Sequence, residues 1–320
     1  MAGHYYQRVA RVVYRPQLAR LVKDPPDGDE WLHEMKYDGY RIGCVVRDKS
    51  VSLISRNGKD WTNAFPEVAA AALDLGVRDA LLDGEVAMVL PDGRTSFQAL
   101  QNAFSAGSRR GLAYFVFDVL RLGGENLERR PLEERKQVLA RLLGKPGARS
   151  IVRYSEHVVG RGFAMFDEAC RLQLEGIISK RRDAPYKSGR GDTWVKTKCV
   201  RRQEFVIGGF TDPEGSRQGI GALLIGYYDA GRLVFAGKVG TGFDHELLER
   251  LRRRLASLEQ DRPPFSVGRP PRAGVHWVRP ELVAQIGFSE WTGDGQLRHP
   301  RFLGLRRDTR PREVVRERPQ

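Results

Sequence analysis

The pattern of apolar and polar positions divides the 320-residue chain into many short strands with a few helices among them. Residues 31 to 61 read as strands joined by turns: Trp31–Lys36, Arg41–Arg47 and Val51–Ser55, with turn signals at Asp38-Gly39 and Asn57-Gly58. Pro66–Leu75 predicts an alanine-rich helix. Ala80–Val89 and Ala113–Arg121 are apolar, β-branched or aromatic runs that predict buried strands. Ser96–Ala103, Pro131–Leu143 and Gly162–Glu175 predict helices, the second with proline near its start and Gly144 just past its end. Gly176–Lys180 and Trp194–Lys198 predict short strands.

The pattern changes after Lys198. Arg201-Arg202-Gln203 is basic and polar, and beyond it come short strands punctuated by glycine: Phe205–Phe210, Ala222–Tyr228, Leu233–Val239 and Leu282–Trp291. One helix interrupts them. Asp244 is its predicted N-cap, and Leu247, Leu248, Leu251 and Leu255 form its apolar stripe. Short strands with one helix suit a small OB-type barrel, so the chain divides into residues 1–200 and 201–320. Arg306–Gln320 is charged and proline-bearing and predicts a tail that frays at its end.

At 41% hydrophobic and 29% charged residues, the chain has the composition of a globular protein and not of a disordered, collagen-like or rod-like one. No apolar run reaches the roughly 18 residues of a membrane span, and Met1 to Ala10 has no secretory signal pattern. Cys44, Cys170 and Cys199 are widely spaced, which argues against a disulfide framework or a cysteine zinc site and for a reducing cytoplasm. The six histidines show no metal-ligand spacing. The net charge of +14 favours a polyanionic partner, although arginine loading alone can produce it. Arginine is the default cation here: only 11 of the 54 basic residues are lysine. Lysine positions therefore carry information, because arginine cannot serve where a neutral amine must attack.

Four lysines, Lys36, Lys180, Lys196 and Lys198, fall in segments that look chemical for other reasons. Lys36-Tyr37-Asp38-Gly39-Tyr40-Arg41 sits at a strand, and Glu34 shares the Lys36 face by alternation, while Trp31, His33 and Met35 face the other way. A lysine ringed by cations acquires a lowered pKa and becomes nucleophilic. Seen alone, this motif has a plainer reading as a surface ion pair beside a hairpin. It is followed in order by Ser55-Arg56-Asn57-Gly58, Asp83-Gly84-Glu85, Phe115-Val116-Phe117-Asp118, Glu175-Gly176-Ile177-Ile178-Ser179-Lys180, Trp194-Val195-Lys196-Thr197-Lys198 and Arg298-His299-Pro300-Arg301-Phe302 leading to Asp308.

This ordered set resembles the covalent nucleotidyltransferases, that is ATP-dependent DNA ligases, RNA ligases and mRNA capping enzymes, over nearly the whole chain. In detail it is most similar to the ligase domain of bacterial end-joining (LigD-type) DNA ligases: Leu82-Asp83-Gly84-Glu85, Ser96-Phe97-Gln98-Ala99-Leu100-Gln101, Tyr186-Lys187-Ser188-Gly189-Arg190 and Glu204-Phe205-Val206-Ile207-Gly208-Gly209-Phe210. The resemblance implies an α+β nucleotidyltransferase domain, with ATP-grasp-like antiparallel sheets and helices, followed by an OB-type β-barrel. It implies three in-line phosphoryl transfers: a lysine attacks the α-phosphate of ATP, AMP passes to a 5′-phosphate at a break, and the 3′-hydroxyl displaces AMP.

By the same resemblance Lys36 is the nucleophile. Glu34 faces the adenine, Arg41 and Arg56 hold ribose and phosphates, Glu85 binds the ribose and Phe115 stacks on the base. Lys196 and Lys198 neutralise the α-phosphate, and Arg298 leads a segment that reaches the β,γ-phosphates when the barrel closes. Glu85, Glu175 and Asp38 are the expected carboxylates near a divalent ion, Mg2+ or Mn2+. Lys180 has opposite strand parity to Glu175 and is expected on the other face. Phe117 is assigned to the core if Phe115 is partly exposed. The implied partners are double-stranded DNA with nicks or ends and a Ku-type end-binding protein, with no membrane, for a monomer of the cytoplasm associated with the nucleoid. The alternatives are an RNA ligase, a capping guanylyltransferase using GTP, or a non-catalytic nucleic-acid-binding module, which has no need of lysine rather than arginine at position 36.

Overall fold

The computed structural model describes residues 14–106, 109–144, 150–199, 202–213 and 219–318. The expectations for Met1–Ala10, His4, Arg201 and the last two residues lie outside them. Two β-sheets face one another in the first two-thirds of the chain. One runs Ser50–Ser55, Gly39–Arg47, Asp79–Met88 and Leu112–Leu122, all antiparallel, with Val152–Tyr154 added in parallel. The other runs Gln17–Leu21, Gly189–Lys198, Gly176–Arg181, Trp31–Met35 and His157–Val159. The helices Pro66–Leu73, Phe97–Ala106 and Leu132–Leu143 pack against the first sheet and Gly162–Arg171 against the second.

The apolar runs explain these faces. Ile42, Cys44, Val46, Leu53, Leu82, Val86, Tyr114 and Val116 make the outer core under the helices. A smaller cluster of Tyr14, Val45, Leu81, Phe117, Tyr186 and Trp194 closes the inner space at one end. Buried polar residues fill the rest of that inner space, and the cleft forms there.

The last third is the OB-type unit, in the order Arg232–Val239, Leu223–Asp229, Arg202–Thr211 and Val275–Gly287, with Arg301–Arg306 also paired to Val275–Gly287. Its helix, His245–Ala256, is capped by Asp244, whose side chain accepts from the Leu247 N–H, and it buries Leu248, Leu251 and Leu255.

Several expectations need correction. The helix predicted over 162–175 stops at Arg171 because Gln173 takes a left-handed φ of 56°, which frees Glu175 from the helix. The strand expected over 282–291 is Val275–Gly287. It passes through Pro280 because residues between Trp277 and Leu282 are set out of register with their neighbour strand, leaving proline no ladder bond to break. A strand, Arg301–Arg306, runs up to the charged tail, and the tail packs as far as its middle: Val314 is buried and its carbonyl accepts from the Tyr228 N–H at 2.7 Å. Cys170 and Cys199, 29 residues apart, are joined in a disulfide, while Cys44 is free and buried. Pairing follows from the end of one helix meeting the end of one strand, and residue spacing carries no sign of that. No helix among the described residues is long and apolar enough to cross a membrane.

Candidate active site

Lys36 leaves the end of Trp31–Met35, where its N–H donates to the Gly176 carbonyl at 3.0 Å. Its Nζ lies 2.6 Å from Glu175 Oε1. Glu175 reaches it because Gly176 follows with φ 140°, and a Cβ there would stand 2.1 Å from the Thr197 carbonyl oxygen. Only glycine starts a strand that close to its neighbour. The same glycine breaks the parity argument against Lys180: Glu175 lies before the break, Ile178 and Lys180 after it, and all three line one cleft.

The charge around Lys36 is the reverse of the predicted ring of cations. Burial alone would lower its pKa, but Glu175 first, then Glu85 and Asp38, outweigh burial and hold the ammonium above its ordinary value. Glu175 is held low: burial opposes this, and Lys36, Lys198 and Arg202 prevail. Its second oxygen, Oε2, is buried with no hydrogen-bond partner. Glu85 pairs in register with Arg41 on the neighbouring strand, and burial pushes its carboxyl up to about 7. Asp38 accepts from Arg202 at 2.6 Å and from the Phe97 N–H at 3.1 Å.

Lys196 and Lys198, alternate residues of Gly189–Lys198, share the cleft face. Burial, with Lys198 as a neighbour, brings Lys196 down to about 8. Arg41 also lines the cleft, but its Nε and Nη2 are held by both oxygens of buried Asp83, each at 2.6 Å, and its guanidinium lies 4.5 Å over Phe117. Tyr14 and Tyr186 donate to the same Asp83 carboxylate at 2.6 Å each. Arg56 lines the cleft with no ion pair among the described residues.

Glu34 is on the cleft floor, fully engaged: Oε1 accepts from Lys136 at 2.8 Å, and Oε2 from Lys180 and the Ser155 hydroxyl at 2.9 Å each. Burial would raise its pKa, and the two lysines overcome this and hold it low.

Two expected residues lie elsewhere. Phe115 lines an adjoining pocket that shares Lys36 and Glu175 with the cleft, stacked on Tyr37 at 4.0 Å, while Phe117 lines the cleft itself. A register shift between Asp83 and Gly84 separates the two phenylalanines. Arg298 is 61% exposed on the short ladder Glu290–Trp291 with Leu297–Arg298 and pairs with Glu290 at 2.8 Å. From the same segment it is Arg306 that enters. It pairs with buried Asp308 at 2.6 Å, donates to the Gly39 carbonyl at 3.1 Å and lies 4.5 Å over Phe97. Sequence reasoning missed Lys136, Arg202 and Glu317. Lys136 carried the rare-lysine signal; the other two depend on the barrel facing the cleft.

The sheets, the lysine with its carboxylates and the overlying barrel have counterparts among known proteins. A family model described as "ATP dependent DNA ligase domain" matches residues 16–198, and one for the "ATP dependent DNA ligase C terminal region" matches residues 216–309. The chain belongs to the ATP-dependent DNA ligase family. It is 42% identical over 309 residues to the multifunctional non-homologous end joining protein LigD of Pseudomonas aeruginosa, covering 95% of this chain and 36% of that protein. It is 39% identical over 292 residues to the corresponding protein of Mycobacterium tuberculosis, covering 90% and 38%. The chain thus spans little more than a third of these relatives. Among solved structures, a mycobacterial DNA ligase D complexed with ATP and MES matches with TM-score 0.69 at 36% identity, over 95% of this chain and 98% of that one.

Proposed function

We propose that this chain is a LigD-type ATP-dependent DNA ligase that seals 5′-phosphate/3′-hydroxyl nicks or ends through a lysyl-AMP on Lys36. The contact that carries the reading is Lys36 Nζ at 2.6 Å from Glu175, inside a cleft that Lys196 and Lys198 also line from a strand of the same sheet. In-line phosphoryl transfer needs positioning and charge neutralisation above all, and this cleft offers both. Lys36 attacks the α-phosphate and pyrophosphate leaves. Lys196 and Lys198 take up the charge on the α-phosphate, and Arg306 meets the β,γ-phosphates in place of Arg298. Arg56 meets phosphate, Glu85 the ribose and Phe117 the nucleoside face. AMP then passes to the DNA 5′-phosphate, and the 3′-hydroxyl displaces it.

The residues fit a divalent ion. Glu175 Oε2 is a buried acceptor without a partner, and Glu85 is a second carboxylate acting on Lys36, which suits Mg2+ or Mn2+ held by one or two carboxylates plus phosphate and water. Glu175 would hold such an ion, which would supply charge neutralisation at the phosphates. Asp38 is committed to Arg202 and fits this role less well.

We divide the chain near residue 200, in line with the two matched ranges, and place its work in break repair by end joining beside a Ku-type end-binding protein. Incubation with ATP and Mg2+ of a duplex carrying a labelled 5′-phosphate at a nick tests the reading. It predicts a sealed strand from DNA and none when the acceptor strand is RNA on RNA; sealing of the RNA duplex alone contradicts it.

A further inference from the structure

The lysine pair that should receive nucleotide phosphate is already occupied by a carboxylate of the same chain. Glu317 Oε1 lies 2.5 Å from Lys196 Nζ and its Oε2 2.7 Å from Lys198 Nζ. Burial opposes ionisation of Glu317, yet the two lysines hold it far below the usual carboxylate range. The segment that brings it there is tethered to the barrel. Arg312 lies 4.7 Å over Tyr228, Val314 is buried in the barrel core, and Arg316 lies 4.1 Å over Trp291. The Glu317 N–H donates to the Gln203 side-chain oxygen Oε1 at 3.0 Å, and Gln203 Nε2 donates back to the Val315 carbonyl at 3.0 Å. Glu313, Val314, Val315 and Glu317 line the same cleft as Lys36.

We propose that the segment 313–318 is a built-in competitor for ATP: its Glu317 carboxylate fills the phosphate-binding lysine pair and must be expelled before the first step. The inference rests on the ligase reading of this cleft. A carboxylate and an α-phosphate present the same chemistry to two ammonium groups, oxygen acceptors with negative charge, and both cannot use the pair at once. Expulsion breaks the bridge from the barrel to the strand Gly189–Lys198, so nucleotide binding also loosens this tie between the two parts of the molecule. A site open only part of the time binds with an affinity reduced by the open fraction.

The test is saturation kinetics of self-adenylation by the full chain without DNA. Glu317→Gln and Glu317→Ala should lower the apparent KM for ATP, by about tenfold if the pair is occupied nine-tenths of the time. Loss of a merely structural contact would not lower KM. An unchanged or raised KM in variants that melt as the wild type does overturns the inference. A second measurement needs no variant. A non-cleavable α,β-methylene analogue of ATP should speed hydrogen exchange at the Glu317 amide of the wild-type chain; unchanged or slower exchange with analogue bound also overturns it. Absence of any adenylate in the wild type would instead remove the ligase reading itself, so the two failures are told apart.

Discussion

At the scale of single residues, the proposed chemistry turns on how Lys36 loses its proton. The lysine was legible in the sequence because lysine is rare in this arginine-rich chain and because Asp38, Gly39 and Arg41 follow it. The sign of its pKa shift was not legible, since that depends on Glu175 and Glu85 arriving from distant strands. A neutral amine attacks, so carboxylates that favour the ammonium push the rising limb of the adenylation rate to higher pH. Glu175→Gln removes the nearest carboxylate, and the ammonium loses its main Coulombic support. The midpoint of the single-turnover pH–rate profile should therefore move to lower pH, whatever happens to the maximal rate. A midpoint that stays in place or moves up would show that Glu175 does not set the charge of Lys36. Lys136, buried against Glu34 on a helix read only from its proline start and glycine stop, shows the limit of motif reading: half of a buried ion pair looks like a surface residue until the partner is seen.

At the scale of elements, strands rich in branched and aromatic residues matched their predicted spans closely, as Asp79–Met88 and Leu223–Asp229 do. Strands were missed or shortened where polar residues or glycine dominate. Gly189–Lys198 extends well before Trp194 because its start pairs in parallel with Gln17–Leu21. That partner lies some 170 residues away, and no local pattern records it. Gly39 illustrates a right residue for a different reason. It was read as a turn glycine, yet it opens the strand Gly39–Arg47, and its lack of a side chain matters for space: a Cβ would stand 2.1 Å from the Val86 carbonyl oxygen. Gly39→Ala must push apart two central strands, so it should cost about 2–4 kcal/mol of stability, read as a lower urea midpoint. A midpoint within error of the wild type would mean that the sheet yields there.

At the scale of the whole molecule, the sequence set a boundary near residue 200 and carried no orientation for the barrel. The structure turns it toward the cleft: Arg202 meets Asp38, Arg306 meets the Gly39 carbonyl and lies over Tyr40 at 5.0 Å, and Glu317 meets Lys196 and Lys198. Under the proposed function the phosphate-facing arginine comes from the expected segment but is Arg306, which lines the cleft, and not Arg298, which is exposed and paired with Glu290. Arg306→Ala removes the charge that the proposed function sets against the leaving phosphates and should slow self-adenylation about a hundredfold, followed by quench-flow with labelled ATP. Arg298→Ala should leave that rate within about twofold, as expected for an exposed ion pair. Equal effects of the two would place the phosphate contact elsewhere.

The most direct test of the central claim is covalent labelling. The protein, first treated with pyrophosphate to strip any bound AMP, is incubated with each α-labelled nucleoside triphosphate and Mg2+, with Lys36→Ala and Lys36→Arg alongside, and the denatured chains are examined for acid-labile label. The account predicts label from ATP in the wild type and none in either variant. Label from GTP in place of ATP, or label retained by Lys36→Arg, would contradict it.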